Sequence, residues 1–299
     1  MAAVDVINAT ASTDKADMVP SVHPLETPQK HNVHTVMNYY KDPGDGSPPA
    51  PFYVVSTDPQ QLLKRPVDPV NVIVTDISGN ENDYTLDSHG FQIVQHESRE
   101  KAFLDDDKIK HEYIPETEQL LKDVTGATRV LIFDHTIRRQ NHSDPSNAEI
   151  RGPAQSVHID QSYAAAVDRV RYHLPDEAED LLQKRFQIIN VWRPIKTIFK
   201  APLGLADANS VAESDLVAAA LIYPHRKGET FAVKPNPAHR WYFKYAQRPD
   251  EVTLIKCFDS VTAPGVARRV PHSAFVDPAE EDKEGRESIE VRALVFYDH

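Results

Sequence analysis

The chain contains 299 residues, of which 40% are hydrophobic and 26% charged, an ordinary composition for a globular protein with a sizeable core. Its formal net charge of −12 argues against general electrostatic attraction to nucleic acid or to an anionic membrane. The sequence shows no long apolar stretch and no secretory signal, and its single cysteine, Cys257, excludes an intramolecular disulfide. We therefore predict a cytoplasmic protein without a nucleic-acid or membrane partner.

The first residues, 1–30, are small and polar and show no hydrophobic period. We predict that they form a flexible N-terminal tail, followed by a single domain over residues 31–299. The 23 prolines against 10 glycines favour loops and extended segments over a helical bundle. The charged run at 277–285 is interpreted as a solvated loop.

Apolar and β-branched runs between turn residues predict most of the secondary structure. Strands are predicted at 70–76, 90–94, 128–135, 186–193, 216–223, 229–233, 241–245, 251–259 and 287–297, and residues 35–40 form a further strand or part of a pocket wall. Helices are predicted at 113–126, 162–172 and 175–184, and Pro115 and Gly126 mark the ends of the first one. Short strands and turn-rich loops indicate a mainly β fold with flanking helices, either a β-sandwich or a jelly roll.

The segment 155–161 contains the most informative motif. His158 and Asp160 are two residues apart, and on a β-strand such residues project to the same face. Two histidines and one carboxylate around a metal with open positions are typical of non-haem Fe(II) oxygenases. Isolated His-x-Asp pairs are common, so the prediction depends on a second histidine elsewhere in the chain.

His272 is the best candidate for that second histidine. It follows Pro271 and is followed by the apolar residues Ala274 and Phe275, a context that fits the edge of a strand. Strands that are distant in sequence become neighbours in a jelly roll, so the long separation from His158 does not argue against a shared metal. The alternative is a partly buried histidine that makes one structural hydrogen bond.

The other histidines are weaker candidates for metal ligands. His142 and Asp144 repeat the His-x-Asp spacing, but they lie in a polar loop, and His135 has no carboxylate two positions later. His225 and His239 lie at loop–strand borders and are interpreted as surface or capping histidines.

An iron site that activates O₂ needs electrons beyond those of its substrate, and a chelating 2-oxo acid can provide them. The far carboxylate of such an acid needs a buried cation, for which arginine is the best match. Arg286 and Ser288 place a guanidinium and a hydroxyl two residues apart, which favours Arg286. Arg292 lies deeper in an apolar run with Glu290 as a nearby partner, and it stays an open alternative.

Six motifs that occur in one order resemble those of a known family. They are His158-Ile159-Asp160, Asn190-Val191-Trp192-Arg193-Pro194, His239-Arg240-Trp241-Tyr242, Phe258-Asp259-Ser260, Pro271-His272-Ser273-Ala274-Phe275 and Arg286-Glu287-Ser288-Ile289-Glu290-Val291-Arg292. The ordered set is similar to that of the fungal hydroxylase/desaturase family related to cephem methoxylases and gibberellin desaturase. The resemblance covers residues 35–299.

The resemblance implies a double-stranded β-helix (jelly roll, cupin-like) that binds Fe(II) and 2-oxoglutarate, with His158, Asp160 and His272 as the metal ligands. It implies oxidation of a small metabolite or amino acid by O₂ in fungal secondary metabolism, by hydroxylation, desaturation or oxidative ring closure such as aziridine formation. Two alternatives are a redox-inactive metal-dependent hydrolase or isomerase on a jelly roll and a non-catalytic small-molecule binding protein. The sequence leaves the oligomeric state undetermined.

Overall fold

Two β-sheets make up most of the computed structural model, which describes residues 30–53, 65–139 and 152–298. The strands described are β1 Val33–Tyr40, β2 Phe52–Tyr53, β3 Val67–Asp76, β4 Phe91–Gln95, β5 Arg129–Arg138, β6 His158–Ile159, β7 Phe186–Pro194, β8 Leu203–Ala206, β9 Leu216–Ile222, β10 Lys227–Val233, β11 Trp241–Phe243, β12 Glu251–Asp259, β13 His272–Ala274 and β14 Ser288–Phe296. One sheet has the order β1-β3-β11-β8-β13-β6-β10-β9-β2, and the other has the order β4-β12-β7-β14-β5. The prediction of a mainly β protein is confirmed.

Short helices flank the two sheets. They are α1 Asp106–Lys108, α2 Ile114–Thr125, α3 Tyr163–His173 and α4 Ala178–Leu181, with a π-helical turn at Ile109–Tyr113. Helix α2 ends at Gly126, whose φ of 71° favours glycine, and α3 begins after Ser162, whose side chain accepts a hydrogen bond from the backbone N–H of Ala165. Both predicted helices are therefore confirmed. No helix in the described part of the chain is long and apolar enough to cross a membrane.

The core of the fold lies between the sheets. Trp192 of β7 packs in one apolar cluster with Ile159 of β6 and Leu205 of β8. Its neighbour Val191 belongs to a second cluster with Leu121 of α2. Strand β7 is buried on both faces, which explains its almost continuous apolar sequence. The two sheets thus pack face to face, with α2 covering the outer side of the smaller one.

Three predictions made from the sequence differ from the structure. The helix expected at 175–184 is reduced to the four residues of α4, with hydrogen-bonded turns on both sides. Strands β2 and β8 were not predicted, and β13 was expected only as a strand edge at His272, because runs of two to four residues carry too little periodicity to be recognised. Strand β6 has two residues and is shorter than the strand expected for the His-x-Asp pair.

The charged run at 277–285 is not wholly solvated, so the interpretation as a solvated loop is partly wrong. Asp277 is buried and its Oδ2 lies 2.7 Å from Nε2 of His31. Glu280 is also buried and accepts a hydrogen bond from the hydroxyl of Tyr245 at 2.5 Å. Both partners are distant in the sequence, so composition alone could not reveal these contacts.

Gly90 lies in a turn that packs against the segment preceding β13. Its φ is +85°, and a Cβ at this position would lie 2.4 Å from Cγ2 of buried Val270. We expect Gly90→Ala to lower the free energy of unfolding by about 2–4 kcal/mol, because left-handed strain and overpacking act together. Denaturant unfolding measures this loss.

Gly126→Ala is the matched control for that change. Gly126 has a similar φ of +71°, but a Cβ there would meet no atom within 4 Å. The control should lower the free energy of unfolding by only about 1–2 kcal/mol, the cost of the left-handed backbone. Equal losses in the two variants would contradict the role given to the Val270 contact.

Candidate metal centre

Two side chains from neighbouring strands and a third from the residue just beyond one of them converge at one point between the sheets. His158 on β6 and His272 on β13 are register partners, and their ring centroids are 4.5 Å apart. Nε2 of His158 lies 3.2 Å from Oδ1 of Asp160, and Nε2 of His272 lies 3.8 Å from the same oxygen. One nitrogen or oxygen atom from each residue lies within 4.8 Å of the others, so the three residues could hold one metal ion.

The strand argument for the His-x-Asp pair is only partly right, because β6 ends at Ile159 and leaves Asp160 outside the strand. The carboxylate of Asp160 is instead held from the opposite sheet. Its Oδ2 accepts hydrogen bonds from Nδ2 of Asn190 at 2.8 Å and from Nε of Arg292 at 2.9 Å. Asn190 and Arg292 are register partners on β7 and β14. This arrangement leaves Oδ1 on the side of the histidines.

The backbone fixes the orientation of both histidine rings. Nδ1 of His158 lies 2.8 Å from the carbonyl oxygen of Ser156, and Nδ1 of His272 lies 3.1 Å from that of Val270. A carbonyl oxygen only accepts, so each Nδ1 carries a proton, and Nε2 is the nitrogen of each ring that is left for a metal. When both rings are neutral, their Nε2 lone pairs are available to a metal on the side where Oδ1 of Asp160 lies.

Burial and neighbouring charges shift the pKa of each group at the centre. Burial alone would lower the pKa of His158, but its hydrogen bond with Asp160 and the charge of that carboxylate raise it, so a bound metal would replace the proton between the two groups. Burial alone would raise the pKa of Asp160, but the charge of Arg292 and the hydrogen bond with His158 hold that pKa well below its usual value. Burial, followed by the charge of His158, lowers the pKa of His272. Asp160 is therefore an ionised oxygen donor and His272 a neutral nitrogen donor.

Arg292 is fully engaged by protein groups. Besides Nε, which contacts Asp160, its terminal nitrogens donate to Oδ2 of Asp134 at 3.0 Å, to Oγ1 of Thr136 at 3.1 Å and to Glu290. The register between β14 and β5 shifts directly after Arg292, and such bulges redirect side chains beside functional sites. The pairing with Glu290, considered as an alternative from the sequence, is the one observed.

Arg286 has a different environment from that of Arg292. It is 6% exposed and donates one hydrogen bond, from a terminal nitrogen to the carbonyl oxygen of Ala201 at 3.0 Å. Its Nε is buried without a partner among the described residues, and its guanidinium lies 5.5 Å from the ring centroid of Trp192. Burial, followed by the charge of Arg138, lowers the pKa of Arg286 to about 9. A buried cation without a counter-ion is costly, so this geometry fits an anionic ligand.

Two further residues, Ala201 and Ser288, bear on the prediction for Arg286. Ser288 is the first residue of β14 and is buried. Ala201, which accepts the hydrogen bond from Arg286, has a φ of 53°, a left-handed conformation that is rare for alanine and often found at functional sites. Ser288 was selected from the sequence together with Arg286, whereas Ala201 was not.

None of the remaining histidines in the described ranges joins the cluster. His225 is exposed, as predicted. The interpretation of His239 as a surface or capping residue is wrong, since its buried ring lies 3.0 Å from the hydroxyl of Tyr39 and 3.1 Å from Oδ2 of Asp215. His135 lies 3.3 Å from an exposed aspartate of α1. The pair His142 and Asp144 lies outside the described residues.

The sequence indicated Arg292 as a candidate for the oxo acid but did not predict that Arg292 and Asn190 hold the Asp160 carboxylate. For Asn190 a signal existed, because an amide in the middle of a buried strand must find a hydrogen-bond partner. Asp134 and Thr136, which contact Arg292, gave no comparable signal, since polar residues on a partly exposed strand are common.

Comparisons with known proteins agree with this geometry. A family model described as an oxidoreductase/YMDC permease-like domain matches residues 37–296. The hydroxylase/desaturase efuI of Hormonema carpetanum is 36% identical over 292 residues, covering 90% of this chain and 97% of that protein. The Fe(II)/2-oxoglutarate-dependent dioxygenase nvfI of Aspergillus novofumigatus is 31% identical over 268 residues, covering 86% and 94%.

A solved structure extends the likeness to three dimensions. The iron and alpha-ketoglutarate-dependent endoperoxidase NvfI superposes with a TM-score of 0.79 at 28% identity, covering 90% of this chain and 99% of the other. This match confirms the jelly-roll fold predicted from the sequence.

Proposed function

The chain belongs to the family of fungal hydroxylase/desaturases and Fe(II)/2-oxoglutarate-dependent dioxygenases, and from this premise we propose that His158, Asp160 and His272 are its iron ligands. The observation that carries the proposal is the convergence of two Nε2 atoms and one carboxylate oxygen within 4.8 Å. Two imidazoles and one carboxylate fit a non-haem Fe(II) ion that keeps further positions open. A metal-binding site at this place requires no rearrangement of the backbone hydrogen bonds to the histidines.

Arg286 is the proposed anchor for the far carboxylate of 2-oxoglutarate, with Ser288 beside it. The support is the buried guanidinium of Arg286, whose Nε has no partner among the described residues, and the buried serine two positions later in the chain. Arginine binds a carboxylate through two parallel hydrogen bonds, which would satisfy that nitrogen. Arg292 is given a positioning role instead, because its nitrogens already contact four protein side chains.

When bound, the ion and the oxo acid supply the reduction of O₂ that is coupled to substrate oxidation and to release of succinate and CO₂. The chain's own residues prepare that chemistry. Asn190 and Arg292 hold one oxygen of Asp160 and leave the other for the metal, while the carbonyl groups of Ser156 and Val270 keep the histidine protons on Nδ1.

The proposed substrate is a small metabolite of fungal secondary metabolism. The names of the relatives, hydroxylase/desaturase and endoperoxidase, support hydroxylation, desaturation or ring closure as the outcome. A cytosolic location stays a prediction, supported by a single cysteine that is buried. The boundary predicted near residue 30 also stays a prediction, because residues 1–29 lie outside the described part.

Spectroscopy of the wild-type protein tests this function directly. Anaerobic addition of Fe(II) and 2-oxoglutarate is expected to produce a weak visible charge-transfer band, and admission of O₂ is expected to release succinate. Zn²⁺ binding without such a band would favour the hydrolase alternative. The absence of metal binding would favour the small-molecule binding protein.

A further inference from the structure

A cavity of about 250 Å³ lies between α3 and the β9–β10 hairpin. Its lining includes Arg169 and Tyr172 of α3 and Arg226 of the hairpin turn. Nε of Arg169 donates to Oε1 of Gln161 at 3.4 Å, and Gln161 directly follows Asp160. The cavity therefore borders the chain segment that carries the carboxylate of the metal centre.

Strand β5 gives a second link between the cavity and the metal centre. The guanidinium of Arg169 lies 5.1 Å from the ring centroid of Phe133. The next residue, Asp134, accepts the hydrogen bond from Arg292 that belongs to the support of Asp160. Arg169 is therefore linked to the surroundings of Asp160 through two neighbouring segments, Gln161 and strand β5.

The two arginines of this cavity contact aromatic rings and no carboxylate among the described residues. Arg169 is 8% exposed, and Arg226 lies 3.9 Å from the ring centroid of Tyr223 and 5.9 Å from that of Tyr172. Within the described ranges, neither guanidinium forms an ion pair with a carboxylate. Both cations thus rest on aromatic rings, which stabilise a cation less than a carboxylate does.

Neighbouring groups add to the positive character of the cavity. Burial, followed by the charge of Arg226, lowers the pKa of Arg169. Burial and the same two arginines lower the pKa of His173, whose Nε2 is buried without a described partner. Of the two lining acids, Asp168 faces Arg171 at 4.0 Å, and Glu229 makes no ion pair with either cavity arginine in the part of the chain described.

We propose that Arg169 and Arg226 bind a carboxylate group of the main substrate, so that the substrate is an organic acid. A cavity of about 250 Å³ is smaller than the roughly 300–1,000 Å³ of a pocket for a whole ligand, so it accepts one end of the molecule. A planar guanidinium pairs with a carboxylate through two hydrogen bonds, which favours this group over a neutral one. The inference rests on the proposed dioxygenase function only for its statement that the ligand is a substrate.

Calorimetric titration with benzoate tests the cavity in the anaerobic protein saturated with Fe(II) and 2-oxoglutarate, so that Arg286 is already occupied. Benzoate is expected to bind, and methyl benzoate, which lacks the charge, is not. Arg226→Gln should weaken benzoate binding by about tenfold or more, because a hydrogen bond to a charged group is lost. Arg171→Gln, an exposed arginine of the same helix paired with Glu179, is the control and should bind benzoate as the wild type does.

Three outcomes would overturn the inference: equal binding of benzoate and its ester, unchanged binding in Arg226→Gln, or binding of inorganic phosphate in place of benzoate. Once air is admitted, pairs of candidate acids and their methyl esters are compared for succinate release, and only the acids should stimulate it. The charge-transfer band reports the dioxygenase function separately. Loss of the band with benzoate binding retained would contradict the proposed function while leaving the anion site intact.

Discussion

Replacing His272 by alanine is expected to abolish Fe(II) binding and turnover while the protein stays folded. His272 contributes one of the three metal-binding atoms, and the remaining pair, His158 and Asp160, is too small a ligand set to retain the ion at micromolar concentrations. The same result is expected for His158→Ala and for Asp160→Ala. The Asp160→Ala protein should also stay folded, since Arg292 keeps its contacts with two other carboxylates. Fe(II) titration, the visible band and succinate release measure the loss, and circular dichroism checks the fold.

His239→Ala is the matched control for that prediction. His239 is also buried, but its ring bonds with Tyr39 and Asp215 and lies outside the cluster. The control should lose stability and keep metal binding and turnover. A band of normal intensity in the His272→Ala protein would remove His272 from the ligand set.

Arg286→Ala is expected to raise the concentration of 2-oxoglutarate needed for half-saturation by at least about 30-fold, the effect of deleting one partner of a buried ion pair. The affinity for Fe(II) should change little, because Arg286 makes no contact with the three ligands. Titration of the visible band with 2-oxoglutarate measures the first quantity, and Fe(II) titration measures the second. Arg286→Lys should recover part of the loss, since it keeps the charge without the two-pronged geometry.

Arg292→Ala should weaken Fe(II) binding and leave 2-oxoglutarate binding nearly unchanged, the reverse of what is expected for Arg286→Ala. Arg292 holds Oδ2 of Asp160 at 2.9 Å, and loss of such a supporting contact typically lowers metal affinity by about 10–100-fold. Half-saturation by 2-oxoglutarate, measured at saturating Fe(II), should stay close to that of the wild type. If instead Arg292→Ala selectively impaired 2-oxoglutarate binding, Arg292 would be the anchor and Arg286 a structural residue.

Local sequence patterns account for most of the secondary structure. The long apolar run of β7, and the proline and glycine that bound α2, carry enough periodicity or stereochemical preference to be recognised without tertiary contacts. The closeness of His158 and Asp160 was also predictable from their spacing. The common face of residues two apart on a strand explains this closeness only in part, because Asp160 lies beyond β6 and is held by Asn190 and Arg292.

The contacts that complete the site were beyond sequence analysis for a physical reason. Asn190, Arg292 and Asp134 stand on three strands of the smaller sheet, and their meeting with Asp160 depends on how the two sheets pack. The distinction between Arg286 and Arg292 has the same origin. Both are arginines near β14, and only the arrangement of neighbouring carboxylates shows that one is satisfied and the other is not.

The division of the metal centre between the two sheets has a consequence for folding. The two proposed histidine ligands belong to the larger sheet and Asp160 directly follows its strand β6, while the amide and guanidinium that orient the Asp160 carboxylate belong to the smaller sheet. The complete coordination sphere therefore exists only when the sandwich is closed. Because an ion that binds only the closed sandwich shifts the equilibrium toward it, metal loading and closure of the sandwich favour each other. A substitution that weakens the packing between the sheets should therefore lower the affinity for iron without altering a ligand.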